Sequence, residues 1–124
     1  MHHSFLNIVF ICFLLSSCFQ ETKKRVEVKK VNSEEIVKAD FISALDWYGI
    51  PQSMEQFTHI GSDAVVPPGI RTSLYKVFPD GKKVEILEAI WNKNDSIEIA
   101  VWYTRKQNKW IPFDHFEYDK TTDF

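Results

Sequence analysis

Most of the features that announce a specific chemistry are scarce in these 124 residues. The chain has two cysteines, at positions 12 and 18, too few and too close to the N-terminus to frame a disulfide-stapled fold. Its four glycines, at 49, 61, 69 and 81, form no phosphate-cradling glycine-rich loop. No Gly-x-Ser-x-Gly nucleophile elbow occurs. The apolar run FLNIVFICFLL at residues 5–15, broken only by Asn7, falls short of the about 20 apolar residues that span a bilayer. Charge is close to balanced, with 15 Lys and Arg against 17 Asp and Glu, a net charge of −2. That balance argues against a nucleic-acid partner, which calls for a basic footprint. Repeats and low-complexity tracts are missing as well. What is present, 44% hydrophobic and 26% charged residues, is the composition of a single globular domain and not of a disordered chain.

The run at 5–15 has the length of the central region of a secretory signal, although Met1-His2-His3 offers only the α-amino charge ahead of it. It leads directly into Leu15-Ser16-Ser17-Cys18, an aliphatic residue, two small residues and a cysteine. This stretch resembles the lipobox of bacterial lipoprotein precursors, and the resemblance covers residues 1–18. It implies that residues 1–17 are a signal peptide and that the Cys18 thiol receives a diacylglycerol and becomes the first residue of the mature chain. Acyl chains of the palmitate type would then hold the protein to a membrane of the bacterial envelope, outside the cytoplasm, at about 0.8 kcal/mol per buried methylene. Cys12 would leave with the signal, so neither a thiol nucleophile nor a cysteine metal ligand would remain.

Residues 18–31 read as the lipidated cysteine and a charged tether, in which Lys23, Lys24, Arg25, Lys29 and Lys30 outnumber Glu21 and Glu27. A solvated spacer explains this composition; a polybasic stretch meeting anionic headgroups is the alternative. Alternation in Val26-Glu27-Val28-Lys29 also suits a short strand. Residues 32–124 form the domain. Asn32 and Glu35 have capping-box spacing, Val31 and Ile36 that of a hydrophobic staple. Val37, Phe41, Ala44, Leu45 and Tyr48 then recur at helical spacing, and Gly49 and Pro51 end the run. One helix over 32–48 is predicted. Ser53 and Gln56 suggest one or two further helical turns at 54–60, and Pro67-Pro68-Gly69 a loop over 61–70.

From Arg71 the period becomes two, which predicts strands at 71–78, 82–92, 96–105 and 109–118. Pro79-Asp80-Gly81, Lys93-Asn94-Asp95 and Lys106-Gln107-Asn108 suit three-residue hairpin loops. With three such loops, residues of equal parity share a face throughout the sheet. The odd face, with Leu87, Ala89, Trp91, Ile99, Val101 and Tyr103, is the one expected to meet the helix stripe. The even face mixes Trp102, Trp110, Phe116 and Tyr118 with Glu88, Glu98 and Asp114. The fold class is therefore α+β: one main N-terminal helix packed on a four-stranded antiparallel meander. In element order this is similar to cystatin-like and NTF2-like folds, although no cystatin-type inhibitory loop sequence occurs.

Chemistry of a catalytic kind has little to stand on. His115 and Glu117, at i and i+2 on a strand, share a side, but two ligands do not make a metal site and no spacing demands a third. Asp114 points away from His115, so it cannot orient that imidazole. No metal or other cofactor is expected. Aromatic residues beside carboxylates bind sugars, peptides or cations by stacking and cation–π contact. Trp102, Trp110, Phe116 and Tyr118 are thus the candidate ligand-binding residues, and Cys18 is the lipidation site. The reading is a small lipid-anchored binding or interaction module that contacts an envelope protein, peptide or glycan. A small envelope hydrolase using His115, or a structural lipoprotein without a ligand, is the alternative.

Overall fold

The computed structural model describes residues 27–60, 68–78 and 82–122. The signal segment, Cys18, most of the tether and the Pro79-Asp80-Gly81 turn lie outside the described residues. The protein is α+β: a four-stranded antiparallel open sheet with short helices on both faces. The strands are β1 (Ser53–Ile60), β2 (Lys83–Asn92), β3 (Ile97–Lys106) and β4 (Lys109–Asp119), and they lie in the sheet in that order. Among the described residues no helix is long and apolar enough to cross a membrane.

The predicted N-terminal helix begins where expected but is divided. The Asn32 side chain accepts the amide N–H groups of Glu34 and Glu35 at 2.9 and 3.3 Å, which starts α1 (Ser33–Ile36). Glu35 turns its carboxylate to the Tyr48 hydroxyl, which donates to it at 3.0 Å. At Asp40 the backbone becomes extended (φ −63°, ψ 164°), and its side chain accepts the Ser43 amide at 2.8 Å. A carboxylate that captures a backbone donor in this way competes with helix continuation; α1 has already ended at its C-cap Val37, and Asp40 caps the next helix, α2 (Phe41–Tyr48). Gly49, with φ at +75°, ends α2. A side chain there would be strained whatever the space around it, and a Cβ would sit 3.4 Å from the Val28 side chain.

Despite the break, the apolar stripe is spent as predicted. Phe41, Ala44 and Tyr48, joined by Ile36 and Ala39, bury against Leu87, Ala89, Trp91, Ile99, Val101 and Tyr103. Phe41 sits 5.4 Å from the Tyr103 ring, edge to face, and 6.2 Å from Trp91. At about 1.5–3 kcal/mol for each large side chain taken from water, this cluster holds helices too short to stand alone.

Two predicted elements change type. Residues 54–60, read as helical turns, belong to β1 (Ser53–Ile60), an edge strand paired with β2 from Ser53↔Ile90 to Ile60↔Lys83. Residues 71–77 of the segment 71–78, read as a strand, belong to α3 (Pro68–Val77), and part of the 61–70 loop belongs to it too. Proline is well suited to the first helical position, where its missing N–H is no loss. Ile70, Leu74 and Phe78, spaced by four, place one side of α3 on the second face of the sheet, against Ile86, Ala100 and Trp102. Both faces of the sheet are thus covered, which accounts for strands apolar on both sides.

The last hairpin departs from the expected parity. Its turn is two residues, Gln107 and Asn108, both at positive φ (49° and 64°), between Lys106 and Lys109. Such a turn pairs odd with even positions, so Arg105 stands opposite Trp110 and Tyr103 opposite Pro112. A register shift at Trp102/Tyr103 then leaves Phe113 as an extra residue and restores the parity, with Trp102 opposite Asp114 and Val101 opposite His115.

Candidate functional site

The four aromatic residues expected on one face do not share it. Trp102, in the middle of β3, lies under α3 and is 3% exposed. Its indole N–H donates to Glu88 Oε2 at 2.6 Å, across the directly paired position of β2. It is a core residue with its polar edge satisfied. Trp110 is on the opposite face, because the two-residue turn inverts its orientation; it packs half-buried against the α2 cluster. The Arg105 guanidinium lies 5.4 Å over its ring. The expectation of an exposed Trp102–Trp110 pair is therefore corrected twice: α3 covers Trp102, and one residue of turn length moves Trp110 to the other face.

Phe116 and Tyr118 do stand on the even face, on the outer strand. Their rings are stacked, 6.2 Å apart with an interplanar angle of 18°. Phe116 is 41% exposed, and Tyr118 packs on the edge of the second core cluster. The Ser73 hydroxyl bonded to Asp114 and the Phe78 ring 5.3 Å from Phe113 fix α3 over the neighbouring stretch of β4. Burial, then a hydrogen bond to Glu98 and the charges of Glu98 and Glu88, push the Tyr118 phenol well above its ordinary range. The result is an aromatic step with carboxylates beside it, set on a strand whose outer edge is open.

The other polar candidates are dispersed. His59 and His115 lie on opposite edge strands, β1 and β4. His115 is exposed. It shares a side with Glu117, while Asp114 faces the other side and accepts from the Ser73 hydroxyl and the His115 backbone N–H. Glu117 accepts from Lys93 Nζ at 2.8 Å and from the Ser33 hydroxyl, and these two bonds hold its carboxyl below the usual range. Ser33 and Glu117 thereby clamp α1 to β4. Among the described residues no group of three or more His, Cys, Asp or Glu could hold a metal ion.

A feature not assembled from the sequence lies at the pole where β2 begins and β3 ends. Lys82 and Lys83 meet Arg105 and Lys106 around a cleft of ≈ 550 Å³ floored by Val77, Phe78 and Val84. The two basic pairs are visible in the sequence, but only the antiparallel register brings them together. Comparison with family models, with curated proteins and with solved structures gives no match.

Proposed function

We propose that the protein is a lipid-anchored component of the bacterial envelope and that its domain is a small binding module without catalytic machinery of its own. Support for the anchor is the sequence Leu15-Ser16-Ser17-Cys18 directly after an apolar run. The observation that carries the binding role is the Phe116–Tyr118 stack beside Glu98 and Glu88. Stacked rings next to carboxylates suit a peptide segment that presents a basic side chain: its stem lies on the rings and its charge meets the carboxylates. The order of helical segment then four-stranded antiparallel meander supports the likeness to cystatin-like and NTF2-like folds, with α3 an element that this order does not contain.

The anchor is tested by metabolic labelling with an alkyne fatty acid. Label should enter the wild-type chain and be lost in Cys18→Ala, which should also remain an uncleaved precursor. The binding role is tested on an array of Lys- and Arg-containing peptides. Phe116→Ala should weaken capture about tenfold or more, the equivalent of about 1.4 kcal/mol, at an unchanged melting temperature. Equal capture by wild type and variant would remove the aromatic step from the reading.

A further inference from the structure

We propose that the cleft at the β2–β3 pole binds a phosphate-bearing polyanion. Among the described residues, Lys82, Lys83, Arg105 and Lys106 line it together with the Glu85 carboxylate; Lys106 leaves β3 on the α3 side with Thr104, whereas Arg105 and Glu85 leave on the α2 side. That carboxylate is 3.9 Å from Arg105, with both side chains about half exposed, so it offsets little of the field. Among the described residues Lys82, Lys83 and Lys106 have no carboxylate within ion-pair distance. Lys106 also faces Lys109 directly across the two-residue turn, and like charges in that position destabilise a hairpin.

The shape and donor types narrow the ligand. Arg105 is held between the Trp110 ring and Glu85 on the α2 side of the sheet, so its guanidinium borders the cleft and does not enter it. The three lysines are mobile point charges, which suit phosphate oxygens without demanding a single geometry. Thr104, 7% exposed, adds a hydroxyl to the wall. A volume of ≈ 550 Å³ exceeds what one phosphate needs, and several cations call for several negative charges.

The position of the cleft separates it from the route by which the chain enters the domain. Lys29 N–H donates to the Trp47 carbonyl at 2.8 Å, and residues 28–31 run beside Tyr48, Trp91 and Asn92. This is the far end of β2, about 30 Å from Lys83 for a strand of this length. The N-terminal segment therefore joins the domain at the pole opposite the cleft. A polymer or soluble polyanion fits that arrangement better than the surface to which Cys18 would be anchored.

The test uses the full-length chain in a non-ionic detergent, with inorganic tripolyphosphate as the probe in isothermal titration at low salt and again with added salt. Wild type should bind, more weakly as salt rises. The double variant Lys83→Glu/Lys106→Glu should bind about tenfold more weakly or worse, corresponding to about 1.4 kcal/mol. Its melting temperature without ligand should be unchanged or higher, since Glu at 106 faces Lys109. Lys38→Glu, an exposed site on another face, should bind as wild type does. Absence of binding, or an equal loss in Lys38→Glu, would overturn the proposal. Binding to phosphatidylglycerol vesicles without binding to tripolyphosphate would also overturn it, in favour of a membrane surface.

Discussion

Tyr103 provides the sharpest test of how the main core is built. Its side chain is fully buried beneath Phe41, and its hydroxyl has no hydrogen-bond partner among the described residues. A buried hydroxyl left unpaired costs about 1–3 kcal/mol, so Tyr103→Phe removes a cost and keeps the ring. The void left by one oxygen returns only about a few tenths of a kcal/mol at roughly 24 cal/mol per Å³. The balance is a gain of about 1 kcal/mol, or a rise of about 4–8 °C in melting temperature for a domain of this size. A pH signature accompanies it. Burial first, and then the Asp40 carboxylate, raise the Tyr103 phenol far above its ordinary value. A raised value means that the folded state holds its proton while the unfolded chain, above about pH 10, gives its own up. Stability is therefore unaffected below that point and falls as pH climbs beyond it. Tyr103→Phe should reduce that decline, leaving the contributions that Tyr118 and Tyr48 make in the same direction. Thermal melts followed by circular dichroism from pH 7 to 11 read both effects. A variant less stable than wild type at pH 7, with the alkaline slope unchanged, would show that the hydroxyl is bonded and would refute the reasoning.

Other perturbations follow from the same contacts. Phe41→Ala, which empties the centre of the α2 stripe, should cost about 3–5 kcal/mol in urea unfolding. Asp40→Ala removes the acceptor for the Ser43 amide and should cost about 1 kcal/mol, typical of an N-cap. Because Lys93 and Ser33 hold the Glu117 carboxyl below its usual range, its contribution is present at neutral pH and lost as pH falls through its folded-state value. Glu117→Gln should therefore lower stability at pH 7 and reduce the acid slope of a melting-temperature profile. Emission of Trp102, measured with Trp47, Trp91 and Trp110 replaced by Phe, should be blue-shifted and protected from acrylamide.

The parts of the fold legible in the sequence are those with strong local signals. Asn32 as a cap, Gly49 as a terminator and the Phe41–Ala44–Tyr48 stripe each follow from one-turn physics. β2, β3 and β4 are visible because each is a run rich in β-branched and aromatic residues bounded by turn residues. β1 is hidden for the converse reason: an edge strand pairs on one side only, and it buries His59 and part of Phe57 while the rest of SMEQFTHI stays exposed. In α3 the two periods compete. Tyr75 and Val77 continue an alternation, yet both are exposed, and the burial follows Ile70 and Leu74 at i and i+4. For the candidate site, Phe116 and Tyr118 are placed correctly because they lie beyond the register shift. Trp110 is not, because a two-residue turn and a bulge offset each other later in the strand, and parity counted across a presumed three-residue loop cannot register either.

The strands adjacent in the sheet are also adjacent in the chain, and this sets the order in which loops must close. β3 reaches β2 across four intervening positions and β4 reaches β3 across Gln107 and Asn108, whereas β1 must wait for a connection that runs from Ile60 to Lys83 and contains α3. Short closures cost less entropy and form first, so β2, β3 and β4 assemble ahead of the outer strand and of the helix on the second face. Synthesised from its N-terminus, the chain presents β1 to solvent before its partner strand exists. Glu55, Gln56 and Thr58 keep that segment wettable in the interval. The polarity that masks β1 from hydrophobic periodicity is the property that lets it remain in water until β2 arrives.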